Sequence, residues 1–130
     1  MTDVHLLRQV SGWRGKRLNS TENITLGTIT EIIYDPVDVQ PVFLGIRATG
    51  ASRFNLLLVP FQGAVESGHA VHSSYSAQSI KEQPAADFGA GFDNAGEQQH
   101  LYTHFGITPH QDLRVLHAGD DPPGSETVLG

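Results

Sequence analysis

Glu97, His100 and His104 are the residues whose types and spacing come nearest to metal chemistry. On a helix they share one face, and His100 and His104 stand at the i, i+4 interval that lets two imidazoles reach one ion. The first of them is not followed by the Glu that a zinc protease uses as its base. Three ligands on one short helix also approach an ion from one side, so no metal site is expected. His69 and His72 fall on opposite faces of an expected strand, and His110 and His117 lie in or near a polar tail. Ser73, Ser74, Ser76 and Ser79 are close in sequence to His69 and His72, but none sits in a G-x-S-x-G elbow; they read as turn and capping residues. Asp35 precedes Pro36 and, with Asp38, reads as turn chemistry. Gly12, Gly15 and Gly27 precede no helix that would complete a phosphate cradle. The chain has no cysteine, which excludes thiol nucleophiles, thiolate metal sites and disulfides. Neither a catalytic residue nor a cofactor is expected.

Recognition remains as the chemistry to look for. Arg14, Lys16 and Arg17 form the densest cationic cluster, beside the single tryptophan, Trp13. Trp13 suits a half-buried plug better than a stacking platform, and the cations suit either a strand edge blunted by charge or a contact for an acidic partner. With Phe54 and Phe61, at the ends of an apolar run, these four make the expected interaction surface.

The elements that must position them are short strands. Val4, Leu6, Leu7 and Val10 fit either a helical half-turn or an incoming strand. Gly12 to Leu18 reads as a strand with a tight bend. In Leu26 to Tyr34 the apolar parity slips, with Ile29 and Ile33 on one face and Ile32 on the other, which predicts a bulge or burial on both faces. Asp35 to Pro41 makes a hairpin connection, Val42 to Thr49 alternates, and Phe54 to Phe61 reads as the most buried strand. Gly63 to Gly68 reads as a turn and His69 to Tyr75 as a fifth strand. Ser76 caps a short helix through Glu82, and a second helix runs from Asn94 to Phe105, with Leu101 and Phe105 facing inward and Gly106 ending it.

Composition agrees. The 130 residues suit one domain, and 23 of the 35 Leu, Ile, Val and Phe residues lie in residues 1–65. Charge divides likewise: six Lys/Arg against five Asp/Glu in residues 1–65, then two against nine, for a net charge of −6. Without a basic block, direct nucleic-acid binding is not expected. No signal peptide or long apolar run is visible, so a cytoplasmic protein without membrane insertion is expected. The expected divisions are a lead (1–9), a core (10–84), a linker and C-terminal helix (85–106), and an acidic, flexible tail (107–130). A chain ending at Gly106 is accordingly expected to keep its melting transition.

The order of segments carries a family resemblance. Gly15-Lys16, Leu26 to Asp35, Pro41 to Ile46, Leu58-Val59-Pro60-Phe61, Val71 to Ser76, Ile80 to Pro84 and Leu101 to Gly106 together resemble the PRC-barrel family. That family includes the cytoplasmic domain of the photosynthetic reaction centre H subunit and the C-terminal domain of a ribosome maturation factor. The resemblance implies a mainly β fold: a small antiparallel barrel with short C-terminal helices. It implies a stand-alone, non-enzymatic module for protein–protein interaction and assembly, with an unidentified protein partner and a homodimer as the expected oligomer. One alternative is an accessory factor in ribosome maturation that contacts a ribosomal protein. A second is a reaction-centre-H-like role in photosynthetic electron transport.

Overall fold

A computed structural model describes residues 4–48, 56–83, 95–108, 113–117 and 119. The N-terminal lead is helical: α1 (Val4–Ser11) buries Leu7 and Val10, one turn apart, against the sheet. The chain then turns through Gly12 to Lys16 before β1 (Arg17–Asn19), so the strand expected from Gly12 begins only at Arg17. There follow β2 (Thr25–Asp35), β3 (Gln40–Ala48), β4 (Leu56–Pro60), β5 (Val65–Ser67), β6 (Ala70–His72), α2 (Ala77–Lys81), α3 (Ala95–Phe105) and β7 (Arg114–Leu116).

The molecule is mainly β, and β2 is its hub. One edge of β2 pairs antiparallel with β3 along nearly its whole length. The other edge is shared: β1 takes the Thr25–Thr28 end and β7 the Ile32–Tyr34 end, both antiparallel. The parity slip in the sequence corresponds to register shifts between Ile29 and Glu31 and between Ile33 and Tyr34. Ile32 and Ile33 are consecutive in register and point to opposite faces, yet both are buried, as is Ile29, so this part of β2 is covered on both sides.

Three expectations need correction. The sheet runs β4-β3-β2-β1-β6-β5 with β7 on β2, an open path rather than a closed one. It is mixed, since β1 and β6 are parallel, with Leu18 opposite Val71. Adjacent-strand reasoning sees only hairpins, whereas β6 reaches β1 by returning across the sheet. The third correction concerns the expected tail: β7 docks on β2, and Leu113 and Leu116 are buried. Residues 63–68, read as a turn, also supply β5.

One edge of the sheet, at β4, is closed by a side chain. In the β3–β4 ladder Val59 bonds inward, which leaves the N–H and C=O of Leu58 pointing away from β3. Gln83 closes both: Leu58 N–H donates to Oε1 at 2.9 Å, and Nε2 donates to Leu58 O at 2.8 Å and to Ile80 O at 2.7 Å. Pro60, the next outward position, has no N–H to offer. At the opposite edge, all three residues of β5 are exposed.

The helices fill the remaining face. Ser76 caps α2 by accepting from Ser79 N, as the sequence predicts. The C-terminus of α3 is a Schellman turn. Gly106, at φ 68°, takes the left-handed position, its N–H bonding Thr103 O while Ile107 N–H bonds Tyr102 O. Leu101, Tyr102 and Phe105 are buried, with Phe43 stacked on Tyr102 at 6.1 Å and Tyr75 edge-on to Phe105 at 5.3 Å. Among the described residues, no helix is long and apolar enough to cross a membrane.

Candidate functional site

The strands β3 and β4 run antiparallel, so the start of one lies beside the end of the other. Phe61 N–H bonds Val42 O at 2.9 Å, which sets the Phe61 ring next to Pro41 and Val42. Behind it lies Trp13, 6% exposed, with ring centroids 5.7 Å apart and a 35° tilt. In front is an open cleft of about 390 Å³ whose walls include Pro41, Val42, Pro60, Phe61 and Ile107. The Schellman turn after α3 is what places Ile107 there. The cleft thus combines two prolines that lack backbone donors, two aliphatic side chains and an aromatic ring backed by Trp13 with a polar side formed by Gln62, Gly63 and Thr108.

The hairpin leading into Pro41 is rigid and strained. Val37 N–H bonds Asp35 Oδ1 at 2.7 Å, Gln40 N–H bonds Asp38 Oδ1 at 3.2 Å, and Val39 N–H bonds Asp35 O at 2.8 Å. Val39 has φ 57°, an uncommon conformation for a β-branched residue. Val37, at the tip, is 80% exposed. Asp35 and Asp38 therefore serve the turn, as expected.

Of the six residues expected to form an interaction surface, Phe61 lines the cleft and Trp13 supports it from inside. Trp13 is more deeply buried than the expected half-buried plug, and its Nε1 has no hydrogen-bond partner among the described residues. The cations divide among different tasks. Arg14 Nε donates to Ser11 O and Nη1 to His117 O, joining the turn after α1 to the end of β7. Lys16 pairs with Glu66 at 3.2 Å and donates to Gly68 O, tying the β5–β6 hairpin to the same turn. Arg17 is exposed on β1. Phe54 lies outside the described residues.

A polar group that the sequence does not announce centres on Glu31, a buried residue at the β2 register shift. Thr30 Oγ1 donates to its carboxylate, Arg47 Nη2 stands 3.6 Å away and His117 Nδ1 3.7 Å away. Gly45 lies opposite; a Cβ there would sit 3.1 Å from Glu31 Cβ. The missing side chain is the one local sign that something bulky crosses β3 at this point.

The other sequence candidates have structural partners. His104 Nε2 donates to Ser79 O at 2.7 Å and joins α3 to α2, while His100 is exposed and the Glu97 side chain and His110 fall outside the described set. Ser73 Oγ accepts from Tyr75 N–H, and Ser74 Oγ donates to Gln62 O. Glu22 and Tyr75 are perturbed. Glu22 accepts Ala77 N–H at 3.0 Å, and hydrogen bonding, first with Ser20 and then with Ala77, lowers its pKa; burial raises that of Tyr75.

No protein-family model matches the chain, and no curated protein matches it significantly.

Proposed function

We propose that this chain is a PRC-barrel-type interaction module that binds a protein partner through the Phe61 cleft and carries out no chemistry itself. The observation that carries this reading is Phe61, backed by the buried Trp13 ring and lining an open, largely apolar cleft beside Pro41 and Pro60. A rigid aromatic in a concave apolar setting is the arrangement on which interface energy concentrates. A cleft of about 390 Å³ takes one or two apolar side chains of a partner, with the exposed Val37 hairpin tip close in sequence to its rim. The mainly β fold with short helices after the β5–β6 hairpin is in keeping with what the PRC-barrel resemblance implies.

A photo-crosslinking side chain at position 61, compared with one at the exposed Ile24, tests this in the native host. The expected result is one defined protein captured from position 61 and not from position 24, with capture blocked by excess unlabelled chain. Equal labelling from both positions would refute the reading, and capture of a second copy would reassign the cleft to a homodimer.

A further inference from the structure

Because β1 and β7 share one edge of β2 end to end, a break separates them. An open cleft of about 460 Å³ lies at this break, with Ser11, Arg14, Gly15, Thr28, Thr30 and Gly119 in its walls. Which ligand it suits follows from the hydrogen-bond donors left over. The Ser11 hydroxyl is spent on Arg8 O, and the Thr30 hydroxyl on Glu31. Arg14 uses Nε and one Nη1 proton on Ser11 O and His117 O, so three of its five N–H groups remain, on a guanidinium already fixed at two points. Thr28 adds an exposed hydroxyl.

Charge points the same way. Cross-strand partners place their side chains on the same face of a sheet. Thr28 is flanked in register by Arg17 on β1 and by Arg47 on β3. Arg17 has no side-chain hydrogen bond or ion pair among the described residues. The carboxylate of nearby Glu31 is already held by Thr30, Arg47 and His117. Lys16 and Glu66, on the next turn and hairpin, offset each other. In a chain of net charge −6, Arg14 thus stands in the cleft wall, and two more arginines, Arg17 and Arg47, stand in register with its wall residue Thr28.

We propose that this cleft binds a small polyanion bearing phosphate or carboxylate groups, gripped by Arg14 and Thr28 and framed by Arg17 and Arg47. The site is separate from the Phe61 cleft and does not depend on it. Calorimetric titration of the full chain with pyrophosphate and with citrate, at low ionic strength, tests it and separates the two oxyanion classes. One-to-one binding of at least one anion is expected, weakened about tenfold by Arg17→Gln and by Arg47→Gln and unchanged by Lys81→Gln on α2. Arg17 makes no described contact, so its variant keeps the test valid even if Arg47→Gln disturbs the Glu31 group. Absence of saturable binding by either anion, or equal affinity in Arg17→Gln, would overturn the proposal. Tighter binding of a single-stranded RNA, with a steep salt dependence, would also overturn it by making this face a nucleic-acid surface.

Discussion

Removal of residues 109–130 takes away β7, and the structure sets the size of the effect. Leu113 and Leu116 are 5% and 4% exposed, and burying a leucine contributes about 1.5–3 kcal/mol, so the pair supplies about 3–6 kcal/mol. The ladder to Ile32, Ile33 and Tyr34 is lost with them, as is the Arg14 bond to His117 O. Against a typical domain stability of about 5–15 kcal/mol, this is a large share. At about 3–5 °C per kcal/mol for a chain of this length, the melting temperature should fall by at least about 10 °C. Circular dichroism melts of the full and shortened chains measure it directly. Leu116→Ala in the full chain should cost about 2–4 kcal/mol, through lost burial and the cavity left behind. A shortened chain that melts within about 2 °C of the full one would refute the argument and restore the flexible tail that composition suggests.

Gln83→Ala uncovers both outward groups of Leu58 and should lower stability by about 1–3 kcal/mol in denaturant titration while promoting self-association by light scattering; an unchanged midpoint would show that the clamp is idle. Glu22 has a folded pKa below its ordinary value of 4.5, so its contribution is present above that pH and lost as pH falls through the folded pKa. Glu22→Gln should therefore flatten the acid limb of the stability–pH curve, and an identical limb in the variant would contradict this. Tyr75 has the opposite sign. Burial raises its pKa above 10.0, so stability is intact below that pH and falls as pH rises through the folded value. Tyr75→Phe should consequently resist alkaline unfolding, as followed by Trp13 fluorescence.

What the sequence discloses here is local. The slipped parity of Ile29, Ile32 and Ile33 is visible because a strand obeys a period of two, and Ser76 and Gly106 are visible because helix ends require particular backbone and side-chain chemistry. Arg-Val-Leu at 114–116 carries no such sign: three residues show no period, and their polar neighbours outweigh them. The β1–β6 pairing is hidden for another reason, since nothing in Arg17–Asn19 names a partner so distant in the chain. Phe61 was accessible as the end of an apolar run, yet its cleft also needs Ile107, which only the turn after α3 brings there. The Glu31 group was not accessible, because a lone acid in a strand looks solvated until Arg47 and His117 arrive from elsewhere.

The parallel seam bears on how the molecule is made. Leu18 and Val71 must find each other across about fifty residues of intervening chain, a closure whose entropic cost precedes any reward from the contacts. The β2–β3 hairpin is local and can form as soon as it is synthesised, but β1 acquires its second neighbour only after β6 has emerged. Sheet assembly should therefore wait on this one meeting. Changes at Leu18 and Val71, both fully buried, should accordingly slow folding as well as lower stability.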